Sequence, residues 1–363
     1  MTARALRIGF VIDDLGHGGA QRQLSLLAQA LRDHAVLRVV TLSDRRDPYE
    51  DRLRAAGAEV VVLARRSGFE LARLRALSAS LREFRPDLVH GFLDASNAYA
   101  YLAARSLRVP VVLSLRSDRV GVGGVRSSLL RIMLRRADAV VVNSRAGAEH
   151  LFREIGVQAA RVHELPNIVR QPAPSAAPDA ALVGCVGRLV PLKRFEAVID
   201  ALPAVRTAVP GARLTIVGDG PCLDDLRRRA RGLGSAVSFS GAVADAAPLI
   251  AGFGCLVVAS EYEGLPNAAL EAMAAGVPVA AVRAGDLPEL IEDGITGCLA
   301  ASAAPEELAR AIVRALGDQR LRASAAREGP RIAAARFSAE RVRDTLLAVY
   351  RSVTNESGAS TVV

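Results

Sequence analysis

Short runs of β-branched and apolar residues alternate along the chain with longer amphipathic stretches. In the N-terminal half the strand-like runs are at 6–12, 36–42, 59–63, 87–90, 109–114 and 138–142. The helical patterns between them are at 20–33, 70–84, 95–106 and 126–136. This alternation predicts an α/β fold, in which helices cover a parallel sheet.

The alternation stops in the stretch 166–178, which contains four prolines and is interpreted as a linker. It then restarts, with strands predicted at 181–186, 212–217, 236–239, 254–259 and 277–282. Two doubly wound units in tandem place a crevice between the carboxyl ends of two sheets, where ligands usually bind. The predicted domains are 1–170 and 178–336, followed by a helix at 337–353 that crosses back to the first domain and a disordered tail at 354–363.

Composition narrows the class of protein further. The chain has 363 residues, enough for two domains, and no apolar run approaches the roughly 18 residues of a membrane span. Its four cysteines have no metal-ligand spacing and are interpreted as reduced core residues of a cytoplasmic protein. Residues 1–170 hold 27 Arg against 17 Asp and Glu, a balance of +10, whereas the remaining residues balance to −1. This asymmetry indicates an anionic partner or, equally, a soluble surface in an arginine-rich protein.

The most informative motif runs from Glu263 to Pro278, directly after the strand predicted at 254–259. Gly264 and Pro266 predict a tight turn into a helix, whose first N–H groups and dipole form an anion site. Glu263 lies before this helix and Glu271 lies on it, so that both carboxylates can face one cleft. Alone, Glu271 is more typical of a solvated helix residue, and the whole run disfavours that alternative.

A second motif, from Gly187 to Arg194, also joins a predicted strand to a helix. It contains Arg188 and Lys193, the only lysine beside 46 arginines. In a chain with this bias, a lysine indicates that a compact ammonium is required, as at a diphosphate. Chance placement is the alternative.

Three weaker motifs also lie where strands are predicted to end. Gly218 and Asp219 begin a tight turn into a helix. Gly18 and Gly19 belong to a glycine-rich loop that fails the dinucleotide fingerprint, because Gln21 takes the third glycine position. His90 ends the strand predicted at 87–90 and is equally consistent with a structural or a ligand-binding histidine.

Together these motifs resemble glycosyltransferase family 4, whose GT-B fold consists of two Rossmann-like domains that face each other across a cleft. Further matches to the family lie at Gly18–Gln21, Asn143–Ser144, Pro166–Asn167, Gly276–Val279 and Gly285–Gly294. The sequence departs from the family at Ile168, where a glycine often follows the Pro–Asn pair, and at Gly285, where the family usually has two glycines.

The resemblance implies a role for each candidate residue. Arg188 and Lys193 neutralise the departing donor diphosphate, Glu271 binds the ribose hydroxyls, and Glu263 holds the donor sugar at the reaction centre. Backbone N–H groups around Leu265 to Asn267 bind phosphate and sugar, and Gly264 and Pro266 belong to the same donor-binding loop. Gly218 and Asp219 approach the donor. His90, Gly18 and Gly19 close on the sugar from the other domain.

The resemblance implies a retaining glycosyltransferase that uses a UDP-sugar or, alternatively, a GDP-sugar. Its acceptor is a glycan, a glycolipid or a small molecule, and a role in cell-envelope polysaccharide synthesis is expected. No Asp-x-Asp motif stands at a predicted strand end, so we expect neither a metal site nor a cofactor, and no nucleic-acid partner. The competing functions are a sugar-nucleotide epimerase or phosphorylase and a non-catalytic sugar-nucleotide-binding protein. A dehydrogenase is disfavoured because the dinucleotide fingerprint is missing.

The segment 125–136 predicts a basic amphipathic helix. Arg131 and Arg135 share one face, and Leu130, Met133 and Leu134 form an apolar stripe. Such a helix can lie in the headgroup layer of an anionic membrane, which predicts peripheral attachment at the inner face of the plasma membrane and a lipid-linked acceptor. The alternative is that the stripe packs against the N-terminal sheet and the arginines face water.

Overall fold

The computed structural model describes residues 4–64, 70–116, 125–172 and 178–359. The chain divides into two compact units, one from the N-terminus to Ile168 together with the stretch from Ala339 onward, and the other from Val169 to Ser338. Part of the predicted linker, 173–177, and the last residues of the predicted tail, 360–363, lie outside the described residues.

The first unit contains a parallel sheet. Its strands are β1 (Leu6–Ile12), β2 (Ala35–Thr41), β3 (Glu59–Val62), β4 (Leu88–Phe92), β5 (Val111–Leu115), β6 (Ala139–Val142) and β7 (Val162–Glu164). Its helices are α1 (Gly19–Leu31), α2 (Glu50–Ala55), α3 (Leu71–Phe84), α4 (Asp94–Leu107), α5 (Val125–Arg136) and α6 (Arg145–His150), and a π-helical turn, Leu151–Ile155, continues α6. The strand order is β3-β2-β1-β4-β5-β6-β7.

The second unit repeats this plan. Its strands are β8 (Asp179–Val186), β9 (Arg213–Val217), β10 (Val237–Gly241), β11 (Phe253–Val258), β12 (Val279–Val282) and β13 (Gly297–Ala300). Its helices are α7 (Phe195–Ala208), α8 (Leu223–Ala230), α9 (Ala247–Ala251), α10 (Asn267–Ala274), α11 (Leu287–Leu290), α12 (Pro305–Gly317) and α13 (Gln319–Phe337). The strand order is β10-β9-β8-β11-β12-β13, and the strands pair in parallel.

Apolar side chains cover both faces of each sheet, which explains why the strands are almost continuously apolar. In β1, Phe10 and Ile12 pack in one cluster with α1, while Val11 packs in another with α3 and α4. In β11, Cys255 and Val257 pack on the side of α7 and α12, whereas Leu256 and Val258 pack on the side of α10. The sequence-based prediction of two α/β domains is therefore confirmed.

The C-terminal helix α14 (Ala339–Ala359) belongs to the first unit, where it contacts α1 and buries Tyr350 completely. The sequence predicts that order ends at residue 353, and this is wrong for residues 354–359, which are helical. The helix continues because Val353 is still buried in the core and the Thr354 hydroxyl donates to the carbonyl of Tyr350 at 2.9 Å.

Candidate functional site

The carboxyl ends of β8 and β11 define the candidate site in the second unit. These strands are neighbours, and the chain order reverses between them, because β9 and β10 lie on one side and β12 and β13 on the other. In open parallel sheets such a point opens a crevice for ligands at the carboxyl ends of the strands. The motifs that begin at Gly187 and Glu263 follow these two strands.

Glycines allow the loops after β8 and β9 to pack directly against each other. Gly218 has φ of 144°, and a Cβ atom there would lie 1.9 Å from the carbonyl oxygen of Gly187. The Leu189 N–H donates to the carbonyl of Asp219 at 2.9 Å, and the Asp219 carboxylate accepts from the N–H of Gly220 at 2.7 Å. Only glycine fits at 218, so this residue holds the loop that carries Arg188.

Lys193, Glu263 and Ser260 form a hydrogen-bonded cluster at this edge. The Lys193 ammonium pairs with Oε1 of Glu263, and the Ser260 hydroxyl donates to the same oxygen at 2.6 Å. The side chains of Lys193 and Glu263 are 23% and 12% exposed, while Ser260 is buried. The structure thus brings together two residues that the sequence predicts at one site, although 70 positions separate them.

Two backbone contacts fix the position of Glu263. The Glu261 N–H donates to the carbonyl of Leu192 at 3.0 Å, which ties the loop after β11 to the loop after β8. Gly285 has φ of 51°, and a Cβ atom there would lie 1.5 Å from the carbonyl oxygen of Glu263. The single glycine that remains of the family's usual pair is therefore required where the backbone of Glu263 passes.

The Arg188 side chain is exposed and has no hydrogen-bond or ion-pair partner within the described part of the chain. Arg194, at the other end of the same motif, instead pairs with Glu196 and Glu261 at 2.7 and 2.6 Å. A guanidinium that no carboxylate neutralises can bind an anionic ligand without first breaking an internal ion pair.

Helix α10 supplies the other features predicted for this site. Pro266 is its N-cap, in extended conformation, so the N–H groups of the first turn, from Asn267 onward, have no acceptor within the helix. Leu265 and Glu271 are both buried, which excludes the interpretation of Glu271 as a solvated helix residue. Gly264 and Asn267 are half-buried beside them.

The N-terminal glycine loop is closed by its own hydrogen bonds. The Asp14 carboxylate accepts from the N–H of Gly16 at 2.7 Å and from the side chain of Gln21 at 3.2 Å. Gly18 is the N-cap of α1 and Gly19 its first residue, and the side-chain oxygen of Gln21 would be 2.1 Å from a Cβ atom at Gly18. That these glycines approach the donor sugar remains a prediction.

His90 does not lie where the sequence predicts. It is in β4 with 0% exposure, its Nδ1 is 2.6 Å from the hydroxyl of Tyr350, and its Nε2 is 2.7 Å from that of Ser114. Burial, and secondarily the nearby Arg116, hold the pKa of His90 well below its usual value, so the ring is neutral. The structure therefore contradicts a contact between His90 and the sugar, because β4 continues to Phe92 and buries the ring behind the strand end.

Among the described residues, no group of three or more His, Cys, Asp or Glu side chains is placed to hold a metal ion. The four cysteines are free thiols, and burial raises the pKa of the Cys185 and Cys255 thiols far above the usual range. No described helix has both the length and the apolarity needed to span a membrane.

Two family descriptions match the chain in succession. Residues 18–168 match the "Glycosyl transferase 4-like domain", and residues 180–318 match "Glycosyl transferases group 1". The fold and these two matches thus define a glycosyltransferase. The chain belongs to the group 1 glycosyltransferases of family 4, as its relatives also show.

The 2-deoxystreptamine N-acetyl-D-glucosaminyltransferase of Streptomyces fradiae is 30% identical, over 80% of this chain and 72% of its own length. The alpha-D-kanosaminyltransferase of Streptomyces kanamyceticus is 29% identical, over 73% of this chain and 77% of its own length. Among solved structures, Anabaena HepE in complex with UDP superposes with a TM-score of 0.82 and 24% identity, over 96% of this chain and 100% of its own. Sucrose-phosphate synthase from Thermosynechococcus elongatus has a TM-score of 0.79 and 21% identity, over 97% and 100%. These likenesses establish the GT-B fold.

Proposed function

We propose that this protein is a retaining glycosyltransferase that takes a UDP-sugar, with a GDP-sugar as the alternative, and transfers the sugar to a hydroxyl of a glycan, glycolipid or small molecule. The observation that carries the proposal is the cluster of Lys193, Glu263 and Ser260, beside an unpartnered Arg188 and the first turn of α10. Relatives differ in the acceptors that their names give, from 2-deoxystreptamine to phosphatidylinositol monomannoside, so we propose no single acceptor.

Cleavage of the anomeric bond leaves a nucleoside diphosphate and a sugar with oxocarbenium character. Arg188, Lys193 and the N–H groups at the start of α10 are the cationic and dipolar groups that stabilise the developing charge on the diphosphate. One such group contributes about 3 kcal/mol to transition-state stabilisation, a factor of roughly a hundred or more in rate. We propose that these groups do the work without a divalent cation or a cofactor.

The Glu263 carboxylate is held by Lys193 and Ser260 on one of its oxygens, Oε1. In the proposed mechanism its other oxygen binds hydroxyls of the donor sugar, and Lys193 bridges Glu263 and the diphosphate. Glu271 binds the ribose, and Gly218 and Asp219 shape the loop that carries Arg188. The acceptor attacks from the face that the diphosphate leaves, which retains the anomeric configuration. A covalent intermediate on Glu263 is the alternative.

A panel of UDP- and GDP-sugars tests the donor by thermal shift, and the anomeric configuration of the transferred sugar, read by ¹H NMR coupling constants, tests retention. We expect one nucleotide class to raise the melting temperature and the product to keep the donor's configuration. An inverted product would refute the retaining mechanism.

Incubation of the protein with the donor alone, without an acceptor, distinguishes sugar transfer from the competing functions. An epimerase would convert the nucleotide-sugar without an acceptor, a phosphorylase would require phosphate, and a binding protein would leave the donor intact. We expect slow hydrolysis of the donor to the free sugar and nucleoside diphosphate, because the site stabilises the leaving group even when water is the acceptor.

We also propose contact with an anionic membrane, on a different surface from the one that the sequence predicts. Leu130 and Leu134 of α5 are buried in the core of the first unit, so the predicted apolar stripe packs on the sheet. Leu129 and Ile132 of α5 are instead 49% and 44% exposed, and Phe152 of the adjoining π-helical turn is 39% exposed. Arginines of the stretch 1–170, which balances to +10, accompany them.

Co-sedimentation with vesicles tests this contact. Replacement of Leu129, Ile132 and Phe152 by serine leaves the core intact, whereas Arg131 and Arg135 donate to the carbonyls of Glu154 and Ile155 and are poorer targets. We expect the wild type, and not the serine variant, to bind vesicles that contain an anionic lipid, with loss of binding in high salt. Equal recovery in the supernatant with neutral and anionic vesicles would refute the membrane contact.

A further inference from the structure

Arg116 follows strand β5 at the carboxyl edge of the first sheet. Its guanidinium lies 5.0 Å from the centroid of the Phe92 ring, and its Nη1 donates to the side-chain oxygen of Asn167 at 2.8 Å. Its Nε and Nη2 atoms are closed off from solvent and have no hydrogen-bond partner. One of the three nitrogens is therefore satisfied, and two are not.

No negative charge balances this cation among the described residues, where Arg116 forms no ion pair with a carboxylate. The polar groups next to it are neutral. Burial keeps the pKa of His90 well below its usual value and that of Tyr350 well above, so neither side chain carries a charge at neutral pH. Burial also lowers the pKa of Arg116 to about 10, which leaves it protonated. A buried charge without a partner is costly, and a compensating anion removes that cost.

The two unpartnered nitrogens lie on the same edge of the guanidinium. The Nε–H and one Nη2–H bond are parallel, and they match the spacing of two oxygens of a carboxylate or a phosphate. Asn167 occupies the opposite corner, at Nη1, and holds the plane in place. The hydrogen bond to Asn167 accounts for the orientation of the guanidinium. It does not account for the burial of the two other donors, Nε and Nη2.

We propose that Arg116 binds an anionic group of the acceptor, a phosphate or a carboxylate, through its Nε and Nη2 atoms. This inference rests on the proposed function, because the ligand is identified as the acceptor on the ground that the proposed donor site lies in the second unit. The carboxyl edge of a parallel sheet is where α/β proteins bind ligands, which fits a ligand at the end of β5.

Inorganic phosphate and acetate, titrated into the full-length protein, test the proposal by thermal unfolding, with sodium chloride added to constant ionic strength. The titrations use an Arg188→Ala background, so that binding at the diphosphate site of the second unit contributes little. We expect one of the two anions to raise the melting temperature in a saturable way, by roughly 3 °C at ten times its Kd. The anion that does so identifies the ligand as a phosphate or a carboxylate.

Arg116→Met in the same background removes the charge and keeps the length of the side chain. We expect it to abolish the shift and to leave the melting temperature in chloride unchanged or higher, because an unpaired buried charge is lost. The matched control is Arg32→Met, since Arg32 is exposed, in the same unit, and without a side-chain partner among the described residues.

If Arg116→Met does not fold, Arg116→Lys replaces it, because lysine keeps the charge but cannot offer two parallel N–H bonds. An anion affinity at least tenfold weaker in that variant supports the proposal. A shift that is absent in the Arg188→Ala protein, or equal with and without Arg116, overturns it. None of these readouts requires sugar transfer, so a failure of the proposed function would be seen separately, in the donor assays.

Discussion

Both units carry a glycine-containing loop between the first strand of the sheet and the structure that follows it, and the two loops differ in what their polar groups contact. After β1, Asp14 accepts hydrogen bonds from Gly16 in the loop and from Gln21 in the first turn of α1. After β8, Lys193 reaches across to Glu263, and the Arg188 side chain has no partner among the described residues.

The same contrast appears in the charges. The half of the sequence with the +10 balance pairs many of its arginines internally, as Arg38 does with Glu59, whereas the proposed diphosphate site lies in the half that balances to −1. Net charge therefore does not locate the site. What distinguishes the site is the exposed and unpaired Arg188 side chain beside the Lys193–Glu263 pair at the ends of β8 and β11.

The largest effect on activity is expected when the cations of the loop after β8 are removed. We expect Arg188→Ala to lower kcat/KM by about two orders of magnitude or more, because it removes a stabiliser of the leaving diphosphate. Lys193→Ala should have an effect of the same size and also frees Glu263. Steady-state kinetics measure the loss in kcat/KM. Arg231→Ala is the control, because Arg231 is an exposed arginine of the same unit. Unchanged activity in both variants would remove these residues from the mechanism.

Ser260 sharpens the comparison, because it is a site residue that the sequence analysis did not select. Ser260 is buried just after the end of β11, and its hydroxyl donates to Glu263 and orients it. We expect Ser260→Ala to lower kcat about tenfold with little change in donor affinity, the scale of one neutral hydrogen bond in a closed site. A larger loss in donor affinity than in kcat would show that Ser260 acts on binding and not on Glu263.

Glu271→Gln tests the second carboxylate of the motif. The amide keeps the size of the buried side chain but is a weaker partner for ribose hydroxyls, so we expect donor affinity to fall about tenfold while kcat changes little. Titration calorimetry with the donor, beside kcat at saturating donor, makes the measurement. A loss confined to kcat would contradict ribose binding.

His90 tests the first unit, with an effect on stability and not on chemistry. His90→Gln removes the ring from between Tyr350 and Ser114, and we expect a loss of about 2 kcal/mol in the free energy of unfolding. Because the pKa of His90 is lowered in the folded state, the unfolded chain binds the additional proton below about pH 6.5. Wild-type stability should therefore fall as the pH drops below that value, and the variant should show a smaller fall. A variant that keeps its melting temperature but loses turnover would restore His90 to the catalytic site.

The fold could be predicted from the sequence in its regular parts. The strands predicted at 6–12 and 254–259 correspond to β1 and β11, because buried parallel strands are continuously apolar. The short strands β7 and β13 were missed, since Val162–Glu164 has a single apolar residue and Gly297–Ala300 begins with glycine and has no β-branched residue. Helices α12 and α13 were also missed, and α13 contains Pro330 within it, which reads as a helix end.

The candidate site was predictable where motif and strand end coincide, as at Arg188, Lys193 and Glu263. It was not predictable where burial decides. His90 and Arg116 each follow or end an apolar run, and only tertiary packing shows that one has both ring nitrogens hydrogen-bonded and the other has two unpartnered donors. The role of Ser260 likewise depends on one hydrogen bond across a tight loop, which the sequence does not indicate.

The proposed mechanism requires that the strand-end cations of the second unit bind the donor diphosphate, and calorimetric titration of the full-length protein with UDP measures this binding. We expect UDP to bind the wild type and Arg231→Ala equally well, in EDTA as in Mg²⁺, and to bind Arg188→Ala at least tenfold more weakly. Equal affinity for the wild type and Arg188→Ala, or binding that EDTA abolishes and Mg²⁺ restores, would contradict it.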